Sequence, residues 1–162
     1  MKNLVLQLSI VLLTTASIPS VALAQSDAVI LTIDGKIDGG VPLDFTASQL
    51  EAIGSAQIAT ATPWHDGTPV FEGVPMAMLL AHVGADGEEA DVLALNNYRT
   101  TIPLEDFSAY PVLLALKQDG EYMSVRNKGP LFIIYPFDDF DELQTDLYHA
   151  RSAWQVRSIT IK

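Results

Sequence analysis

A chain of 162 residues and 17.6 kDa predicts one domain, long enough to bury a real core. Nine Lys and Arg against 20 Asp and Glu give a net charge of −11, which argues against a general nucleic-acid binder because such a surface repels phosphate. The absence of cysteine excludes a disulfide scaffold, a thiolate-held zinc or iron–sulfur site and a thiol nucleophile, while 49% hydrophobic and 18% charged residues argue against disorder.

The N-terminus is read apart from the fold. Met1-Lys2-Asn3 is a short basic start, residues 4–13 are an apolar run, and Ala22-Leu23-Ala24 supplies an A-x-A pattern. This predicts a signal peptide over residues 1–24, cut between Ala24 and Gln25. The run is short for a membrane span, and residues 14–20 are too polar to extend it. Cleavage would remove Lys2 alone among the charges. The expectation is an exported, periplasmic protein that is not inserted in a membrane after cleavage.

Residues 25–162 predict a single α+β domain of mixed sheets with short helices, without repeats or linkers. Residues 28–33 read as a strand that turns at Asp34-Gly35. Thr46 and Gln49 have capping-box spacing and Gly54 suits a C-cap, so a short helix is predicted over 47–53. Residues 57–62 read as a strand running into the turn chemistry of residues 64–68. Pro75 suits the first position of a helix whose Met76, Leu79, Leu80 and Val83 share one face, ended by Gly84. Strand segments are predicted over 92–95 and 98–102, flanking Asn96-Asn97, with a short helix over 103–107. Residues 112–117 and 121–125 pair across Asp119-Gly120, a hairpin signal. Residues 131–135 form a continuous apolar run suited to a central strand, and residues 142–151 read as a helix. In the last stretch Trp154 and Val156 share one phase while Ile159 and Ile161 take the other. A bulge near Arg157-Ser158 reconciles them.

Catalytic motifs are scarce. There is no G-x-S-x-G element, and His65, His82 and His149 are isolated, with no H-x-H or H-x-x-x-H spacing to predict a metal site. His82 reads as a surface or partly satisfied helix residue and His149 falls in the helix predicted over 142–151, whereas His65 sits in a loop beside Trp64, where a ligand would meet it. The acidic run 138–142 lacks the glycine and ligand spacing of a calcium loop. It reads as acid at a helix N-terminus or as a charged surface facing a basic partner.

A more informative set lies at strand ends and in loops. Residues 60–64 (Thr-Ala-Thr-Pro-Trp), Asn96-Asn97-Tyr98 and residues 126–130 (Arg-Asn-Lys-Gly-Pro) together offer aromatic faces, amides, hydroxyls and two cations. A flat heteroaromatic ligand needs such a set, with stacking for its face and hydrogen bonds for its edge. Each member also has an ordinary reading. Trp64 caps a core, Asn97 holds a turn, Arg126 pairs with an acid, Lys128 keeps a loop soluble, and Gly129-Pro130 is backbone geometry.

From Phe71 onward the chain resembles the sulfite-oxidase-type molybdopterin-binding domain. The resemblance rests on Phe71-Glu72-Gly73-Val74-Pro75 with Leu79-Leu80 and Gly84, and on residues 98–106 (YRTTIPLED). It continues through Leu114-Ala115-Leu116 with Asp119-Gly120, residues 129–136 (GPLFIIYP), and the closing Trp154. It implies the fold of that domain. Two departures stand out. Enzymes of the family ligate molybdenum through a cysteine, and this chain has none. They also carry glycines after the strand-Pro element, where this chain has Phe137-Asp138-Asp139-Phe140.

The chain is more similar to small, exported, cysteine-free members of the fold that bind a pterin without metal. Thr62-Pro63-Trp64, Asn97-x-Arg99, Arg126-x-Lys128-Gly129-Pro130 and Trp154-Gln155 carry that similarity. It implies a ligand-binding signalling protein, not an enzyme, that relays a reduced pterin to a membrane-bound enzyme of cyclic-di-GMP metabolism. The partner implied is the periplasmic domain of a membrane sensor. On this reading Trp64 or Tyr98 stacks on the ring and Asn97 and Thr62 bond its pyrimidine edge. Arg126 bonds its carbonyl or side-chain hydroxyls, with Lys128 and Gly129 in the same loop. The alternatives are a molybdopterin oxidoreductase with a nitrogen or oxygen ligand in place of cysteine, and an exported scaffold whose pocket has decayed.

Overall fold

The structure is a computed structural model that describes residues 28–162. The predicted signal peptide and its cleavage point lie outside the described residues. In chain order the elements are β1 (Leu31–Gly35), β2 (Leu43–Phe45), α1 (Ala47–Ile53), β3 (Ala56–Ala59), β4 (Val70–Pro75), α2 (Met76–His82) and β5 (Glu89–Ala94). They continue with β6 (Arg99–Pro103), α3 (Leu104–Ala109), β7 (Leu113–Gln118), β8 (Glu121–Tyr122), β9 (Phe132–Ile134), α4 (Asp146–Arg151) and β10 (Val156–Ile161). One sheet has the order β2-β1-β10-β5-β6, and the other runs β3-β4-β7-β8 with β9 also paired to β7. β1 and β10 run parallel, and their neighbours pair antiparallel. No helix among the described residues is long and apolar enough to cross a membrane.

Local chemistry explains the element ends. The Thr46 amide donates to Gln49 Oε1 at 2.8 Å and the Gln49 amide to Thr46 Oγ1 at 3.3 Å, closing the capping box of α1. Gly54 follows α1 in extended backbone, not in the left-handed turn that a glycine cap suggests. A Cβ there would meet Met78 Cε, the movable end of that side chain, at 2.7 Å. The apolar face of α2 is as predicted, with Met76, Leu79, Leu80 and Val83 all buried, but Pro75 precedes the helix as its cap and ends β4. β4 itself escapes the sequence pattern because Gly73 and Pro75 interrupt it. Gly73 lies so close to β7 that a Cβ would fall 2.1 Å from Leu114 O. The bulge of β10 falls between Val156 and Ser158, and it brings Val156, Ile159 and Ile161 all inward. The helix predicted over 142–151 is two pieces, a 3₁₀ turn at Asp141–Leu143 and then α4.

The second sheet is apolar on both faces, and this creates the site. Along β7, Leu114 and Leu116 enter the main core while Leu113 and Ala115 face a smaller cluster on the opposite side. Along β9, Ile133 joins the main core while Phe132 and Ile134 join the smaller cluster, which explains the unbroken apolar run. β9 is not a central strand in the ladder sense. β7 flanks one side, and on the other the 153–154 backbone covers it, with the Ile133 amide donating to Ala153 O and a bridge from Phe132 to Trp154. Trp64 and Trp154 pack on the smaller cluster from outside.

Candidate functional site

Residues 62–65 form the turn on which the site is built. Thr62 is buried, and its hydroxyl bonds His65 Nδ1 at 2.7 Å and accepts the Trp64 amide at 3.3 Å. The turn is clamped from below. The Ala61 amide donates to Asp138 Oδ2 at 2.7 Å, and the Asp138 amide donates to Thr60 Oγ1 at 3.1 Å. Asp138 is thus committed within the chain. Held this way, Trp64 and His65 enter two different cavities.

Trp64 enters a cavity of about 270 Å³ whose walls include Tyr98, His149, Ser152 and Trp154, with Asn96 and Ala150 completing the lining. The Trp64 ring lies 5.3 Å from Trp154 at 68° and 5.9 Å from His149 at 76°. Such near-perpendicular walls make a corner in which a flat ring can stack on one indole and meet the other with its edge. The Tyr98 hydroxyl donates to Ala150 O at 2.7 Å, tying the β5–β6 turn to α4. The Ser152 hydroxyl is buried and without a hydrogen-bond partner. The lining carries no Lys, Arg, Asp or Glu.

His65 enters the neighbouring cavity of about 320 Å³, whose lining includes Arg126, Lys128, Gln118 and Glu121. Burial first, and then the Lys128 ammonium, push the His65 imidazole below its ordinary pKa. Backbone bonds hold the two cavities side by side. The Leu95 amide donates to Gln155 O and the Gln155 amide to Lys128 O, both at 2.9 Å. Gln155, Lys128 and Asn97 all have positive φ, at 55°, 64° and 65°. Left-handed backbone in three non-glycine residues, all beside these cavities, is strain of the kind that collects at binding sites.

The wall formed by α4 is anchored in the main core. Arg151 Nη1 and the Tyr135 hydroxyl both donate to Asp106 Oδ2, at 2.8 and 2.7 Å. Burial first, and then the Asp106 carboxylate, hold the Tyr135 phenol well above its ordinary pKa.

The predicted site residues therefore divide. Trp64 and Tyr98 share the aromatic cavity, whereas Arg126 and Lys128 line the cationic one. Thr62 faces a third hollow with Pro63 and Asp138, and it serves the first two through the turn. Asn97 takes the left-handed place in the β5–β6 turn, while Asn96 reaches the cavity wall. Gly129 is packed against Met123, where a Cβ would fall 2.0 Å from Met123 O. The wall residues Asn96, His149, Ser152 and Trp154 add to the predicted set. Trp154 had a signal in the closing motif; His149 had none, because an isolated histidine in a helical stretch carries no spacing pattern.

The family described as oxidoreductase molybdopterin binding domain matches residues 19–137. No curated protein matches the chain. Among solved structures, the sulfane dehydrogenase SoxCD from Paracoccus pantotrophus is similar, with a TM-score of 0.57 at 20% sequence identity. The similarity covers 81% of this chain and 37% of that one, so the chain spans little more than a third of that relative's length, and the likeness is one of fold. The family match includes Trp64 and Tyr98 and ends before His149, Ser152 and Trp154.

Proposed function

Because the chain belongs to the oxidoreductase molybdopterin-binding domain family, we propose that its aromatic cavity is a pterin site that works without a metal. The observation that carries this reading is the Trp64–Trp154 corner, with its indoles at 68°, in a chain that has no cysteine. The cofactor implied by the family fits these residues in part. Its ring finds stacking walls, the unpartnered Ser152 hydroxyl and the His149 imidazole. Its metal finds no thiolate anywhere in the sequence, and no group of three or more His, Asp or Glu able to hold an ion among the described residues. We therefore assign no chemical step to a metal.

Size and charge support a simple reduced pterin. A cavity of about 270 Å³ falls just below the roughly 300–1,000 Å³ of sites for drug-sized ligands, so it suits one small ring system. A reduced pterin is uncharged at neutral pH and needs no counter-charge from a lining that has none. Arg126 and Lys128 would meet only a substituent reaching toward the second cavity. The similarity to small exported, cysteine-free members of the fold supports the rest of the proposal. The protein is periplasmic and relays pterin availability to the periplasmic domain of a membrane sensor governing cyclic-di-GMP metabolism.

Trp64 and Trp154 are the two tryptophans of the chain, so intrinsic fluorescence reports directly on the cavity. Tetrahydropterin is expected to change that fluorescence saturably, and Trp64→Ala to weaken binding by about 1–2 kcal/mol, roughly tenfold. No change in fluorescence with any reduced pterin would overturn the reading. Family membership and the nitrogen and oxygen donors His149 and Ser152 favour a second reading, a molybdopterin oxidoreductase with a non-cysteine ligand. Stoichiometric molybdenum by elemental analysis would establish it.

A further inference from the structure

The carboxylates of this acidic chain are unevenly placed. Residues 92–104, 122–137 and 147–162 contain no Asp or Glu, although the chain carries 20. These stretches meet beside the two cavities through the bonds from Leu95 to Gln155 and from Gln155 to Lys128. On the same ground stand Arg99, Arg126, Lys128 and Arg157. None of the four forms an ion pair among the described residues, whereas Lys117, Arg151 and Lys162 each do. Apolar surface accompanies them, with Leu95, Tyr98 and Val125 exposed by 45%, 42% and 51%.

A ligand inside the cavities does not account for this face, because Arg99 and Arg157 line neither of them. Glu121 lines the second cavity, and Asp91, two residues along the β5–β6 pair from Arg99, is already held by Lys162 and Thr101. We infer that this face docks an acidic segment of a protein partner. Arg99, Arg126 and Arg157 pair with its carboxylates, while Leu95, Tyr98 and Val125 give the apolar contact. A molecule with net charge −11 repels an acidic partner from most directions, so the carboxylate-free face also sets the orientation of docking. Arginine with apolar contact is the composition of protein interfaces. The inference rests on the relay reading for the existence of a partner, and not on which ring fills the cavity.

The test places a photo-crosslinking side chain at Leu95 or Val125 of the full chain in the native cell. Asp44, exposed at the opposite edge of the first sheet, is the control. Positions 95 and 125 are expected to join one protein, within a segment rich in Asp and Glu. The double variant Arg99→Glu, Arg157→Glu is expected to lower the yield about tenfold or more while tetrahydropterin titration is unchanged. Equal joining from position 44, a joined segment without excess carboxylate, joining to lipid alone, no joining, or insensitivity to the charge reversal would each overturn it. Failure of the pterin reading shows separately, as absent fluorescence change in parent and variant alike.

Discussion

Two adjacent residues, Trp64 and His65, open into cavities of opposite character. The first is walled by indole, phenol and imidazole and has no charged lining residue, while the second has Arg126, Lys128 and Glu121. The Thr62 hydroxyl sets both directions, since it accepts from the Trp64 amide and bonds the His65 ring. Aromatic walls and charged side chains therefore lie on separate surfaces a single turn apart. A phosphate ester needs charge in its pocket, which only the second cavity supplies.

The largest effect is expected at Phe132, which lines neither cavity but supports both Trp64 and His65. Phe132 is fully buried and packs against Trp64, His65, Phe71 and Trp154. Phe132→Ala is expected to lower stability by about 3–5 kcal/mol in urea denaturation, with ring binding lost alongside. Arg151→Ala acts on one cavity only, by leaving the Asp106 carboxylate without its cation and loosening α4. A loss of about 3 kcal/mol is expected, with ring affinity falling more than can be traced to Arg126. Arg126→Gln sharpens the contrast from the other side. Affinity for unsubstituted tetrahydropterin should stay within about twofold, since exposed substitutions cost within about 0.5 kcal/mol. The smallest effect concerns His65. Its pKa is lowered in the folded chain, so the unfolded chain takes up the proton more readily. The stability this contributes is fully present above the ordinary value of 6.5 and is lost as pH falls through the lower folded value. The difference in stability between parent and His65→Gln should therefore shrink between pH 8 and pH 5, and a constant difference would contradict it.

Much of this was legible beforehand, for identifiable reasons. The capping box at Thr46, the helix face of Met76 to Val83 and the phase change before Ile159 are local patterns, and local patterns survive folding. β4 was not legible because Gly73 is there for approach to β7, a fact about a partner strand far off in sequence. The site was half legible. Trp64 stands in turn chemistry and Tyr98 at a predicted strand end, and an aromatic side chain at either place is a local signal. His149 and Ser152 are placed at the cavity by contacts far apart in sequence, Arg151 to Asp106 over 45 residues and Tyr98 to Ala150 over 52. Asn97 takes the left-handed place of the turn, and the Asn96 side chain accepts the Tyr98 amide at 2.9 Å within it.

Purified from the cell that makes it, the protein can be analysed directly for what it carries. Mass spectrometry of released small molecules and elemental analysis of the same sample give one answer. A reduced pterin near one per chain and no stoichiometric molybdenum are the expected result. Stoichiometric molybdenum, or neither a bound pterin nor uptake of one on addition, would contradict it.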